Sequence, residues 1–373
     1  MTNLLWRKPA DIPRDARGLY VITLLAVVTV LCAALVLATS TSQGYISWTT
    51  GTLVTTLASF VVWSVDRFGL PYFGDVAAYV RAEAATVEKR ALVRDRGLTL
   101  LRRLMLDDGY DRIVLVSHSL GSIIAYDLLQ ILWADFRPRK LEAIRDKARL
   151  KAIRAVDKSA LNADGSAWLD KLDDFSGFRR AQWELYRQLR ASDADHPLPW
   201  KISDFVTLGS PLTHSEFLVT SNLAEFRRGI AERLFSACPP IAETAAGGTV
   251  LYQEGRSRSG KPQRAVHHGA VFAATRWTNI FDRGNGWLTG DPISGPMAAN
   301  FGPGVENIQV ELRSSLGRIF THRLYWSLKA TGVEATAAAA TPPRSHIGVL
   351  RDAVDLGRKL EPSQAAPTTS AGR

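Results

Sequence analysis

The sequence predicts an α/β protein: a mostly parallel sheet flanked by helices and preceded by two transmembrane helices. Three observations carry that prediction. Two charge-free apolar stretches, residues 19–39 and 45–65, precede the charge-rich remainder of the chain. The short run Ile113-Val114-Leu115-Val116 turns directly into a nearly all-apolar helical stretch, and further strand-turn signals follow at residues 204–211 and 276–281. Buried parallel strands read as short continuous apolar runs, and helical stretches between them supply the crossovers.

The first stretch, LYVITLLAVVTVLCAALVLAT, matches the roughly 20 residues needed to cross about 30 Å of hydrocarbon. The second, YISWTTGTLVTTLASFVVWSV, is richer in Thr, whose hydroxyls can bond back to the helix's own carbonyls. Arg7, Lys8, Arg14 and Arg17 precede the first span, Arg67, Arg81, Lys89 and Arg90 follow the second, and the link 40–44 is uncharged. The positive-inside rule therefore predicts a hairpin with both ends cytoplasmic: residues 1–18 as a cytoplasmic segment, 19–65 as the hairpin, and the rest of the chain on the inner face of a bacterial-type inner membrane. A secretory signal peptide is the rival reading; the long apolar core and the second span disfavour it. Cys32 lies in the first span and Cys238 in the soluble part, so no disulfide framework is available.

Across 373 residues the chain carries 46 Lys+Arg against 36 Asp+Glu, a net charge of +10, with 46% hydrophobic residues. That composition excludes wholesale disorder and fibrous repeats. Removing anchor and tail leaves about 265 residues, one large domain over 66–330. In it, residues 82–106 read as a helix with apolar contacts from Leu92, Leu98, Leu100, Leu101 and Leu104, and 112–116 as a strand at the buried centre of the sheet. Residues 122–133 read as a buried helix, and 134–200 as a helical insertion. Within the insertion, 134–158 has nine Lys/Arg against four Asp/Glu; Leu141, Ile144, Ala148 and Val156 form its packing face, and the cations are a solvated face or adhere to anionic lipid. The amphipathic stretch 168–189 is core packing or, alternatively, a lid. Residues 243–263 read as a mobile loop around a short strand at 249–252, 309–312 and 318–320 as weaker strands, and 331–373 as a largely disordered tail with a short helix at 346–360.

Chemistry concentrates at Val116-Ser117-His118-Ser119-Leu120-Gly121-Ser122, between the predicted buried strand and helix. A nucleophile elbow needs this arrangement: a sharp turn lifts the central serine to the carboxyl edge of the sheet, and the small flanking residues Ser117 and Gly121 keep the turn from clashing. The helix beyond Ser119 aims its free N–H groups at the site, so the Leu120 amide is the candidate oxyanion donor. A serine needs a base, and the base an orienting acid. Seven histidines are present. As the elbow's second residue His118 is expected to point away; His196 sits in a polar loop, His346 in the tail, and His214, His267 and His268 fit structural or substrate-lining roles. His322, in a loop ahead of Tyr325-Trp326, is the preferred base. Asp291, in Thr289-Gly290-Asp291-Pro292, is the preferred acid, with Asp282 at the end of the third strand as the alternative.

With these pieces in place the chain resembles an α/β-hydrolase of the lipase and esterase type. The resemblance rests on residues 114–122, on Phe205-Val206-Thr207-Leu208-Gly209-Ser210-Pro211-Leu212, on Arg276-Trp277-Thr278-Asn279 with Asp291-Pro292, and on His322 with Tyr325-Trp326. It implies acyl transfer from an ester to water, with Ser119 attacking, His322 shuttling the proton and Asp291 holding the imidazole. Two departures stand out: Ser117 replaces the usual Gly, and the early strand ending in His-Gly, which brings the second oxyanion amide, is missing between Asp66 and Tyr110, leaving Phe73-Gly74 or another loop to substitute. The expected function is a membrane-anchored serine hydrolase acting on a lipid or other acyl ester; the alternative is a non-catalytic membrane scaffold that keeps the fold. No cofactor or metal is expected, since His267-His268 lacks i, i+4 spacing, and no nucleic-acid partner is expected, since the cations come without a recognition module.

Overall fold

In the computed structural model, residues 84–358 are described apart from 140, 142–143, 162–170, 195, 221, 242–247, 257–258, 285–288, 316 and 336–341, together with residues 28–29, 56, 59 and 79. One five-stranded sheet contains β1 (Ile113–His118), β2 (Ile202–Leu208), β5 (Arg276–Phe281), β6 (Glu306–Arg313) and β7 (Thr331–Glu334), in that spatial order. The first four are mutually parallel and β7 runs antiparallel to β6. A separate antiparallel hairpin joins β3 (Leu251–Arg256) and β4 (Pro262–Val266). The mixed α/β class with a mostly parallel sheet is thus the observed one.

Every residue of β2 and β5 is buried, as expected of strands covered on both faces. Asp204 inside β2 is tolerated because Arg112 and Arg276 reach it at 2.8 and 2.6 Å. Helix α2 (Leu120–Phe136) follows β1 and buries nine side chains, among them Leu129, Leu132 and Trp133. Helix α1 (Ala84–Leu106) lies against it, tied by Arg94 to Asp127 at 2.6 Å and packed through Leu98, Leu101 and Met105. Leu92 and Leu100, expected in that contact, face solvent instead.

In the insertion, α3 (Lys147–Ser159) buries Ala152, Ile153 and Val156, and packs on α4 (Phe175–Leu189). Leu141 and Ile144 are buried as expected, whereas Ala148 is exposed. Helix α4 lies on β2 and β5 with Phe178, Leu185, Tyr186 and Leu189 fully enclosed. It is a wall of the core, which removes the lid reading; Trp168 lies outside the described residues.

Four further expectations are corrected. Strand β1 is not central: among the described residues it forms the sheet's edge, with Val116 42% exposed. Its apolar run reflects helices packed over it, not strands on both sides. The glycine- and arginine-rich stretch expected as a loop around one strand is the β3–β4 hairpin. Residues 318–320 make one isolated strand-like bridge, Ile319 to Thr289, in place of a strand, and Phe320 is left-handed at φ 48°, so the chain turns there. The expected tail is ordered in part: β7 pairs with β6, and α6 (His346–Val354) covers that edge with Val349 fully buried. Earlier in the chain, between β2 and β3, α5 (Leu223–Ala231) buries Phe226 and Ile230. Among the described residues no helix is long and apolar enough to cross a membrane. Both predicted spans and the 1–18 segment lie outside those residues except for 28–29, 56 and 59.

Two enclosed histidines away from the sheet edge set a pH dependence. His267 Nε2 donates to the Thr249 carbonyl at 2.8 Å and Nδ1 accepts the Gly269 N–H at 3.1 Å, one neutral tautomer. Burial, then nearby arginines, pushes His267 down to about 3; burial and Arg149 push His196 down to about 4. Between those values and about 6.5 the unfolded chain binds protons that the native state refuses, so stability rises with pH. Denaturant titrations from pH 4.5 to 7 should show increasing unfolding free energy, with up to about 1.4 kcal/mol per pH unit per histidine, and His267→Gln should flatten the slope.

Candidate active site

The chain leaves β1 at His118 and enters α2 at Leu120, so Ser119 alone makes the turn. Its backbone sits at φ 52° and ψ −132°. For an L-residue other than glycine such a conformation costs about 1–3 kcal/mol and persists only when its surroundings impose it. Here the Ser119 N–H donates to the Leu208 carbonyl of β2 at 3.2 Å, while its own carbonyl accepts from the Ser122 N–H at 2.9 Å and the Ser122 hydroxyl at 2.5 Å. Ser122 in turn is bonded to the Ser210 hydroxyl at 2.5 Å, fastening the turn to the end of β2. The Leu120 and Gly121 amides at the start of α2 precede the first i→i−4 acceptor of the helix and carry the positive end of its dipole. Ser119→Gly should therefore be more stable than Ser119→Ala by about 1 kcal/mol in chemical denaturation, because only glycine occupies this conformation without strain.

The other half of the site comes from the loops after β5 and β6. Asp291 follows the left-handed Gly290 (φ 76°), and its N–H donates to the Asp282 carbonyl at 2.8 Å. Its Oδ1 accepts the Ile293 N–H at 2.9 Å, an Asx turn over Pro292. Oδ2 lies 2.9 Å from His322 Nδ1 and accepts the Tyr325 hydroxyl at 2.8 Å. Both Asp291 and His322 are buried. Burial alone would raise the Asp291 carboxyl; the adjacent His322 imidazole and the Ile293 and Tyr325 hydrogen bonds outweigh it and hold the group below the usual carboxylate range. Burial pushes the Tyr325 hydroxyl far up, and the Asp291 carboxylate adds to it, so Tyr325 remains a donor.

Asp282 does a different job. Its oxygens accept from Arg318 at 2.7 Å, Thr321 Oγ1 at 2.6 Å and the Leu312 N–H at 3.2 Å. Burial nonetheless leaves its carboxyl raised. The structure thus pairs His322 with Asp291, and gives Asp282 the anchoring of the 318–321 segment that delivers the histidine. Thr321 N–H to the Gly290 carbonyl (3.1 Å) and Gly290 N–H to the Arg318 carbonyl (2.6 Å) lace the two loops together.

The halves meet at the Leu208–Gly209 peptide. Ser119 hangs on the Leu208 carbonyl, and a Cβ added to Gly209 (φ 54°) would lie 2.9 Å from Asp291 Oδ2, 3.2 Å from His322 Nδ1 and 2.7 Å from the Tyr325 ring. The serine, the histidine and the aspartate picked from the sequence are therefore at the same carboxyl edge of the sheet.

No family model matches this chain, and neither a curated protein nor a solved structure is significantly similar to it. The site must be judged on its own geometry.

That geometry departs from sequence expectation at two places. His118 does not point away: its Nε2 lies 2.7 Å from the His322 carbonyl, and its ring packs 4.5 Å from the His322 ring and 4.6 Å from Trp326. Burial, then the neighbouring His322, lowers it to about 4, so it is neutral at pH 7, and its Nε2–H can donate to that carbonyl. Gly121 is not required by contact, since a Cβ there would meet nothing within 4 Å; the conformational constraint falls on Ser119 and Gly209. Of the remaining histidines, His214 and His346 are buried, and His346 reaches the Ser327 carbonyl at 3.2 Å. Beside the elbow a cavity of about 260 Å³ begins at Ile123, one turn along α2, and is walled by Tyr126, Leu212, Val219, Phe226 and Phe301, with Arg90 and Asp127 at its polar side. Phe73-Gly74, a sequence candidate for the second oxyanion donor, lies outside the described residues.

Proposed function

We propose that this chain is a membrane-anchored serine hydrolase of α/β-hydrolase type that cleaves a carboxylic ester of a lipid or other acyl compound. The observation that carries the reading is Ser119 held at φ 52° between strand and helix, at the sheet edge that also holds the Asp291–His322 pair. Strain of this kind at a single serine is characteristic of a site in which a hydroxyl must stand clear of its surroundings.

In the proposed reaction His322 Nε2 removes the Ser119 proton as Oγ attacks the ester carbonyl, and Asp291 stabilises the resulting imidazolium through Nδ1. The oxyanion is met by the Leu120 N–H at the helix start. Collapse of the tetrahedral intermediate transfers the proton from His322 to the leaving alcohol and leaves an acyl-Ser119 ester. Water, deprotonated by the same imidazole, then releases the carboxylic acid and restores the hydroxyl. The lowered Asp291 carboxyl suits this role, because an anion at that position fixes the tautomer that leaves Nε2 basic. The apolar cavity beside α2 supports an acyl chain as the group transferred. The two charge-free N-terminal stretches support delivery of the site to a bilayer, where such substrates partition.

One observation favours a second reading. The sheet ends on β1, and among the described residues no strand lies beyond it to bring a second oxyanion amide, as a scaffold that had lost turnover would look. Hydrolysis of chromogenic acyl esters by the detergent-solubilised full-length chain separates the two. The hydrolase reading expects turnover by wild type and loss by Ser119→Ala to the level of the uncatalysed reaction. A Ser119→Ala rate equal to wild type would overturn it, and an inert wild-type chain would favour the scaffold.

A further inference from the structure

Helix α3 carries four cations on one stripe. Lys147, Lys151, Arg154 and Lys158 are spaced four, three and four residues apart, so at 3.6 residues per turn they fall along one side of the helix. All four are exposed, and the buried residues Arg149, Ala152, Ile153 and Val156 occupy the opposite side. The helix contains one acid, Asp157, and that carboxylate is turned inward to accept the Val250 N–H at 2.7 Å. Among the described residues no carboxylate forms an ion pair with any of the four cations, although elsewhere on this surface arginines pair freely, as Arg344 does with Glu334 and Asp352. Neighbouring like charges three and four residues apart repel. A helix that needed only solubility would interleave Glu with Lys; this one presents a straight, unneutralised row about 16 Å long at 1.5 Å per residue.

We infer that this stripe of α3 rests on the anionic headgroups of the bilayer that anchors the chain. Charge complementarity points to an extended anionic surface. The stripe is straight and carries no aromatic side chain, so it offers long flexible cations to diffuse charge, and nothing to stack or read a base. The tether selects the bilayer: only 18 residues separate Val65, the end of the second apolar stretch, from Ala84 at the start of α1. Even fully extended they span at most about 65 Å, so the domain is confined to the membrane's vicinity, where weak electrostatic attraction acts at high effective concentration. The inference rests on the membrane anchor and is independent of the acyl-transfer chemistry.

The test is lysine footprinting of the full-length chain in nanodiscs of phosphatidylcholine alone or with anionic phosphatidylglycerol, read by mass spectrometry after brief acetylation. Lys147, Lys151 and Lys158 should be acetylated at least about 3-fold more slowly in anionic discs, the protection should vanish in 0.5 M salt (roughly a 4 Å Debye length), and Lys329, exposed just before β7 and outside the stripe, should not change. In the double variant Lys151→Glu, Arg154→Glu the protection of Lys147 and Lys158 should be lost. Equal rates in both discs, an equal slowing at Lys329, or salt-insensitive protection in neutral discs would overturn the proposal. A chain recovered outside the discs would overturn it through the anchor, an outcome distinguishable from failure of the lipid contact, and ester hydrolysis by the same samples reports the chemistry separately.

Discussion

In the proposed reaction, replacing His322 by Ala is expected to reduce ester turnover by about 10⁴-fold or more, with the larger loss in kcat, because it removes the base assigned to Ser119. Asp291→Asn should cost about as much, and for an instructive reason. Asp291 Oδ2 takes both the His322 and the Tyr325 hydrogen bonds. An amide that turns its NH₂ to His322 would force the proton onto Nε2, the atom that must accept from Ser119; one that turns its oxygen there loses the charge that stabilises the imidazolium. The alternative acid gives the control. Asp282 touches Arg318, Thr321 and the Leu312 amide, so Asp282→Asn should lower stability through a broken buried ion pair, by less than the about 3–5 kcal/mol of a charge left without a partner, because Arg318 keeps Glu311 at 3.0 Å. Stopped-flow hydrolysis together with denaturant unfolding on the same three variants distinguishes orientation of the base from anchoring of its loop.

Gly209→Ala carries the second large effect. At φ 54° an alanine pays about 1–2 kcal/mol in backbone energy, and its methyl would press 2.7 Å from the buried Tyr325 ring and 2.9 Å from Asp291 Oδ2. None of these groups has room to retreat: Tyr325 is bonded to Asp291, Ser294 and the Asp282 N–H at once. Displacing the Asp291–His322 pair by even 1 Å relative to Ser119 is expected to lower kcat by about 10²-fold. Measured kcat should fall while the molecule still folds, with its unfolding midpoint lowered. Unchanged kinetics would mean that the Leu208–Gly209 peptide is not the junction of the two half-sites.

How much of this was legible in the chain depends on the range of the interaction. Strand β5 runs over the residues its apolar pattern marks, and Ser119 sits at a strand-to-helix turn announced by the small residues around it. Asp291 is set apart from Asp282 in the sequence by its loop placement and the Pro-Ile turn that follows it, and the structure pairs it with His322. What escaped was nonlocal. An apolar run such as Ile113-Val114-Leu115-Val116 says that its faces are covered, yet strand order decides whether its edges are, and β1 proved to be an edge. The β3–β4 hairpin was hidden by its Gly and Arg content, and β7 by the Ala-rich sequence after it, because each is stabilised by pairing with a distant partner. His118 escaped for the same reason: alternation along β1 directs its side chain, but only the folded loop from β6 brings the His322 carbonyl beneath it. Gly209 was visible as part of Leu208-Gly209-Ser210-Pro211, but its positive φ and the close approach that requires a glycine there emerge only in the folded chain.

The central claim is that one hydroxyl, Ser119 Oγ, is the nucleophile. Treating the full-length chain with a fluorophosphonate and mapping the adduct by mass spectrometry tests it most directly. The account predicts a single phosphonylated serine at position 119, absent in Ser119→Ala and much slower to form in His322→Ala. A wild-type chain that takes no label, or takes it on Ser117, Ser122 or Ser210 instead, would contradict it.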